Sequence, residues 1–189
     1  MFRPLRAHEI EWRDRLRTDI TAAFAHVHRG KGAPEMMSWS ESVVVDHYGS
    51  AEERAAARRA DLDTHWTQLI DDARWRPFGG IGGWVFLERP AYRYYVPPTM
   101  MRFLMLARGS DEPEEKRTRT LTRNLDDQRF AEVLRQIAKP PPWSPAERAS
   151  VARFIWCMER WTDPAYCLPG TRNPWRRALR VWREWVEEM

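Results

Sequence analysis

The stretch WVFLERPAYRYYVPPTMMRFLM, Trp84–Met105, is the most apolar and aromatic part of the sequence, and it decides the expected fold. Trp84–Glu88 and Tyr92–Val96 are rich in the aromatic and β-branched residues typical of strands, and a turn suits the residues between them. Pro97-Pro98 would end a strand, because proline gives a sheet no N–H donor. The residues that follow, 99–107, predict a short buried helix. We therefore expect a short antiparallel β-hairpin at the centre of the fold.

The rest of the chain predicts amphipathic helices that pack on this stretch. Three serines stand three positions before a glutamate, as in a helix capping box: Ser38, Ser50 and Ser144. The helix that begins after Ser50 is expected to continue to about Asp72. The predicted fold class is α+β, predominantly α-helical, with about six or seven helices packed around the hairpin. We expect a single globular domain over residues 1–189, with a charged exposed loop at 109–124 and a Pro-rich spacer at 139–142.

Composition excludes several classes of protein. Eleven tryptophans and 43% apolar residues argue against disorder. Only three of the 31 basic residues are lysine, so arginine supplies nearly all of the positive charge. This excess fits either the codon usage of a GC-rich bacterial genome or a surface that binds phosphates or carboxylates through guanidinium groups. The two cysteines lack the spacing of metal ligands, which predicts reduced thiols. Because we see no leader and no long apolar run, we expect a cytoplasmic protein.

One cluster of acidic residues and histidines could support catalysis: Asp46, His47, Asp61 and His65. On the predicted long helix, Asp61 and His65 are four positions apart and so share a face. Two carboxylates and two imidazoles could bind a divalent metal or transfer protons, which makes a metal-assisted hydrolase the alternative function. The structural alternative pairs Asp61 with Arg58 or Arg59. Neither an HExxH nor a GxSxG motif is present in the sequence.

The C-terminal helix interleaves arginine with tryptophan, which is a composition typical of nucleic-acid-binding elements. Trp175 and Trp182 fall on one stripe, and the arginines occupy the other side: Arg176, Arg177, Arg180 and Arg183. Weak nucleic-acid binding through this helix is the second alternative. Buried tryptophans with simply solvated arginines explain the same pattern, and a net charge of +4 is a weak argument for nucleic acid.

Arg93 and Tyr95 point to a different kind of function. On a strand, alternation would place both on one face and Tyr92 and Tyr94 on the other. Arginine and tyrosine are enriched at the residues that dominate protein–protein binding energy. The alternative is that Arg93 pairs internally with a helical carboxylate such as Asp46 or Asp61.

These residues belong to a set that resembles a family of small bacterial proteins catalogued as domain of unknown function 6714. The similar residues are Gly30, Gly32, Asp46, Tyr48, Arg59, Asp61, Trp66, Phe86, Leu87, Tyr92, Arg93, Tyr94, Tyr95, Val96, Pro97 and Met100. The resemblance covers roughly residues 10–107 and 143–186, and the chain departs from it at Ala91, at Pro98-Thr99 and in the charged segment 109–124. It implies a shared fold and no particular activity.

The favoured function is a non-enzymatic protein–protein interaction module, of an accessory or immunity-like kind, with an unknown protein partner. Its candidate binding residues are Arg93, Tyr95, Tyr48 and Arg59. No cofactor, metal or membrane is expected to take part.

Overall fold

Helices form all of the regular secondary structure in the residues that the computed structural model describes, which are 2–28, 36–61, 65–79, 83–138, 143–167 and 173–187. Ten α-helices lie in these ranges, together with one 3-10 helix at Pro164–Tyr166. The α-helices are α1 Ala7–Ala23, α2 Trp39–Asp46, α3 Ala51–Ala60, α4 Thr67–Asp71, α5 Gly83–Phe86, α6 Arg89–Leu106, α7 Lys116–Thr122, α8 Asp127–Gln136, α9 Pro145–Trp161 and α10 Trp175–Glu187.

The predicted β-hairpin is wrong, and with it the α+β class. The described residues contain three isolated bridges but no strand, and the hairpin segment forms α5 and most of the first half of α6. Pro90 lies in the first turn of α6, where a proline is tolerated because that N–H has no helical partner. Pro97 and Pro98 lie inside α6 and remove two helical hydrogen bonds. The helix persists because all residues from 94 to 104 are buried, so packing on every side stabilises it.

The predicted number of helices, six or seven, is also too low. The helix expected to continue to Asp72 ends at Ala60, and α4 follows as a separate short helix. Within 109–124, where an exposed loop was expected, Lys116–Thr122 form α7 and bury Leu121. The spacer predicted at 139–142 lies outside the described residues.

The three predicted capping boxes are confirmed. The hydroxyls of Ser38, Ser50 and Ser144 accept hydrogen bonds from the third-residue amides of α2, α3 and α9, at 3.1, 3.2 and 3.2 Å. In each case the glutamate at that third position reaches back to the serine amide. The predictions succeeded because a capping box depends only on residues within one turn of helix.

The centre of the core is an aromatic cluster that joins α6 to the C-terminal half of the chain. Phe103 of α6 stacks on Phe130 of α8 with ring centroids 5.3 Å apart, and its edge meets Trp175 of α10 at 5.6 Å. Phe154 of α9 contacts both phenylalanines. All four side chains have no exposed surface. Four helices therefore share one set of interlocked rings.

Phe103→Ala is expected to lower the free energy of unfolding by about 3–5 kcal/mol, because it leaves a cavity among rings held by four helices. Val85→Ala is the control, since Val85 is 73% exposed and its truncation should change stability by no more than about 0.5 kcal/mol. Urea denaturation of both variants measures the difference. Equal effects would contradict this description of the core.

Candidate functional site

A cleft of about 230 Å³ opens where the start of α2, the end of α3 and the turn after α4 meet α6. Its walls are aromatic and its edge is polar. The lining residues are Trp39, Ser40, Ala60, Asp61, Leu69, Asp72, Arg74, Trp75, Tyr94 and Tyr95. Three of them, Asp61, Tyr94 and Tyr95, belong to the family-like set found in the sequence. The cleft is therefore the principal candidate site in the described part of the chain.

The α2 end of the cleft is closed by hydrogen bonds to the first three amides of that helix. The Trp39 amide donates to the Tyr95 hydroxyl at 2.7 Å, and the Ser40 amide donates to the Asp61 carboxylate at 2.9 Å. The third amide, of Glu41, donates to the Ser38 hydroxyl. A helix normally leaves these donors without partners and can then hold an anion. Here they are saturated, so the start of α2 is not an anion site.

Trp39 forms the aromatic wall together with residues from three other segments. Its ring centroid lies 5.9 Å from that of Trp75, 5.3 Å from that of Trp84 and 5.2 Å from that of Tyr95, in edge-to-face contacts. Gly83 permits this packing, because a Cβ on that residue would lie 2.5 Å from the Trp39 ring. Sequence reasoning missed Trp39 and Trp75. For Trp39, the signal in the sequence was its position directly after the capping Ser38.

Arg102 supports the cleft from behind. It is 1% exposed, and its guanidinium lies 4.7 Å over the Trp75 ring. Burial lowers the pKa of Arg102 to about 10, which still leaves the group protonated at neutral pH. The guanidinium donates to four backbone carbonyls at and beyond the end of α4, those of Leu69, Ile70, Asp72 and Trp75, at 2.6–3.1 Å.

Arg74 and Asp72 form an ion pair at the edge of the cleft. Arg74 donates to both carboxylate oxygens of Asp72 at 3.0 Å, and this hydrogen bonding lowers the pKa of Asp72. Asp72 is therefore ionised at neutral pH and is not a proton donor. The side chain of Arg74 is 79% exposed, so it can move without disturbing the core.

The four residues of the proposed catalytic cluster do not come together. Asp61 does not continue α3 towards His65, because it is the extended C-cap of that helix with ψ of 141°. Asp61 holds the start of α2, whereas Asp46 ends the same helix, about 9 Å further along its axis. The imidazole of His47 contacts the Val43 carbonyl, and that of His65 contacts the Ala25 carbonyl. The described residues hold no group of three or more potential metal ligands.

Arg93 makes an internal ion pair, but with neither Asp46 nor Asp61. Its Nε and Nη2 donate to one oxygen of Glu147, at 3.1 and 2.6 Å, and Nη2 also lies 2.9 Å from Nε2 of His26. Glu147 is the capping glutamate of α9 and has no exposed surface. The guanidinium of Arg93 therefore links α6 to the start of α9 and to the segment after α1.

The other three candidate binding residues differ in exposure. Tyr95 is 2% exposed, and Arg59 is exposed near the end of α3. Tyr48 is 98% exposed and has a φ of 57°, the only positive φ of a non-glycine residue in the described ranges. Of the family-like set, Gly30 and Gly32 lie outside those ranges.

On the C-terminal helix, the tryptophans and the arginines separate by face. Trp175 and Trp182 are buried, and the Trp182 indole donates to the Leu134 carbonyl at 2.8 Å. Arg176 pairs with Glu159 of α9 at 2.9 Å. These two tryptophan rings are thus committed to the core and are not available for stacking on bases.

Comparison with known protein families confirms the resemblance found in the sequence. A family model described as "Family of unknown function (DUF6714)" matches residues 12–154. The chain belongs to this DUF6714 family. Its match includes the whole cleft, Tyr48 and the Arg93–Glu147 pair, and it ends within α9. No curated protein and no solved structure matches the chain. None of the helices in the described ranges combines the length and the apolar character that a membrane span requires.

Arg102→Lys is expected to lower the free energy of unfolding by about 2 kcal/mol or more. Lysine keeps the charge, but its ammonium cannot reach four carbonyls or stack flat on Trp75. The matched control is Arg74→Lys on the exposed side of the same cleft, with an expected change of at most about 0.5 kcal/mol. Thermal and urea unfolding measure both variants. If the free energy of unfolding of Arg102→Lys were close to that of the unmodified protein, the four hydrogen bonds from the guanidinium to the backbone carbonyls would not be needed for stability.

Proposed function

We propose that this DUF6714 protein is a protein–protein interaction module and that Tyr48 is a principal contact residue. The observation that carries the proposal is the combination of side-chain exposure and backbone conformation at Tyr48. An aromatic side chain that is 98% exposed contributes almost nothing to the core. Tyrosine is also among the residue types that supply most of the binding energy at protein interfaces.

The backbone at Tyr48 shows that stability does not explain the tyrosine. The Tyr48 amide donates to the Val45 carbonyl at 3.0 Å, and the Gly49 amide donates to the Val44 carbonyl at 2.9 Å. These two bonds form a Schellman motif, whose left-handed position is usually glycine. A side chain with a Cβ costs about 1–2 kcal/mol in that conformation. Tyr48 occupies it at φ of 57°, and strained residues of this kind cluster at functional sites.

The surroundings of Tyr48 suit a contact that projects from the surface. Tyr48 lies in the turn of the α2–α3 hairpin, residues 39–60, at the end away from the cleft. His47 beside it is exposed, and Val43, one turn earlier on α2, is 36% exposed. The tip therefore offers an aromatic ring with an imidazole and a small apolar surface next to it.

Tyr48→Gly is expected to raise the free energy of unfolding by about 1 kcal/mol, because glycine adopts positive φ without steric cost. Tyr166→Gly is the matched control, since Tyr166 is 64% exposed but lacks a positive φ. There the added chain entropy of glycine should lower stability by about 0.5–1 kcal/mol. Urea denaturation gives both values. A loss of stability for Tyr48→Gly would mean that the tyrosine is structural and would remove the basis of the proposal.

Partner binding is tested with a photoreactive phenylalanine analogue, benzoylphenylalanine, placed at position 48 or at position 166 in cells of the organism of origin. Illumination should produce a covalent adduct of discrete mass only from position 48. Excess unmodified protein should suppress the adduct in lysate, and the Tyr48→Gly protein should compete less well. Identical adducts from both positions, or equal competition by both proteins, would count against a contact at Tyr48.

A further inference from the structure

We propose that the protein forms a symmetric dimer in which one face of α1 packs against the same face of a second copy. This surface, called the α1 face, consists of five exposed residues: His8, Glu11, Trp12, Arg15 and Thr18. They recur every three or four positions, so they are neighbours along one side of the helix. The α1 face is separate from Tyr48 on the α2–α3 hairpin. The dimer therefore goes beyond the function proposed above and does not rest on it.

Trp12 is the residue of the α1 face that calls for a partner. Its side chain is 42% exposed, whereas the other ten tryptophans of the chain are buried or partly buried. The core therefore uses Trp12 less fully than it uses any other tryptophan. Tryptophan is also one of the residue types that supply most of the binding energy at protein interfaces.

The ring of Trp12 is already held in position. Its centroid lies 5.1 Å from that of His8 and 5.7 Å from that of Trp156 on α9. The guanidinium of Arg160 lies 4.2 Å over the Trp156 ring and supports it in turn. A side chain that is ordered before binding loses little conformational entropy when it binds. Trp12 thus has the properties of an anchor residue.

The charges beside Trp12 identify the second copy as the partner. Glu11 and Arg15 are exposed, and neither forms an ion pair within the described part of the chain. In a two-fold symmetric contact, each residue pair occurs twice with the roles exchanged. When two copies of α1 pack antiparallel, with the axis midway between Glu11 and Arg15, each arginine lies opposite the other copy's glutamate and beside its Trp12. His8 then lies opposite Thr18, so no like charges meet.

Other arrangements fit the α1 face less well. A parallel pairing of the two copies would place Arg15 opposite Arg15 and Glu11 opposite Glu11, which is unfavourable twice over. A nucleic acid that stacks on Trp12 would bring its phosphates close to the carboxylate of Glu11, whereas such sites normally surround their aromatic residues with cations. The antiparallel dimer is the arrangement in which the aromatic ring and both charges gain a partner.

Exchange of the two charges tests this pairing. Glu11→Arg and Arg15→Glu each place like charges opposite one another at both ends of the contact, so each variant should dimerise about tenfold or more weakly than the unmodified protein. An equimolar mixture restores both opposite-charge pairs, because one variant carries only arginine and the other only glutamate at these two positions. The mixture should therefore form a heterodimer about as tightly as the unmodified protein forms its dimer. Sedimentation velocity over a range of concentrations measures all four samples.

Two further variants separate the interface from a general effect of charge or folding. Arg17→Glu makes the same charge change on an exposed residue of another face of α1 and should leave dimerisation unchanged. Trp12→Ala should weaken the dimer about thirtyfold, as expected for an anchor residue worth about 2 kcal/mol. Circular dichroism of each variant verifies that its helices are intact.

Three results would overturn the proposal. They are a protein that stays monomeric up to millimolar concentration, a dimer that Trp12→Ala and the two charge variants leave intact, and a mixture of Glu11→Arg with Arg15→Glu that remains monomeric. The last result would reject the antiparallel pairing even if the single variants dimerise weakly. None of these results bears on cross-linking from position 48, and a failure there leaves the mass of the dimer unaffected.

Discussion

The buried guanidinium of Arg102 is the constraint on which the arrangement around the cleft depends. Moving a charge out of water is costly, and the cost is offset only when the group is fully hydrogen-bonded. Four carbonyls at and beyond the end of α4 supply those bonds. Two of these carbonyls, those of Leu69 and Asp72, also accept from the amides of Asp72 and Trp75, at 3.4 and 3.1 Å. Arg102 adds donors at the point where a helix runs out of its own. One side chain from α6 thus fixes where α4 ends and where Trp75 lies, and Trp75 in turn positions Trp39.

Arginine has a second structural role, which is to pair with buried capping glutamates. Glu9, Glu41 and Glu147 are the capping glutamates of α1, α2 and α9, and all three are buried. Each also binds an arginine from outside its own helix: Arg3, Arg58 and Arg93, respectively. A carboxylate has room for both tasks, because it accepts from the serine or arginine amide and from a guanidinium at once. Helix starts are thereby tied to segments outside the helix, which gives the arginine excess a structural use.

Features that depend on residues within one turn of helix were predicted correctly from the sequence. Features that depend on packing between distant segments were not. The serine caps needed only residues three positions apart, so they were found. The helix α6 was mistaken for a hairpin because Pro97 and Pro98 argue locally against a helix, and because a helix buried on every face has no polar stripe to reveal its period. Internal pairing of Arg93 was the alternative to a binding role, with Asp46 or Asp61 as the suggested partner, but the partner is Glu147, 54 residues away. Similarly, Asp61 was recognised as part of a motif, while its bond to Ser40 required the fold.

The two ends of the α2–α3 hairpin differ in how firmly hydrogen bonds fix their conformation. At the cleft end, Tyr95, Asp61 and Ser38 satisfy the first amides of α2, and Arg58 holds its capping glutamate. Several independent hydrogen bonds therefore fix the conformation of the cleft end. The other end carries Tyr48 in a conformation that a tyrosine adopts only at a cost. Strain of this size persists only where the surrounding structure leaves the backbone no alternative. The well-bonded end therefore allows the tip to hold a tyrosine whose exposed side chain adds almost nothing to the core.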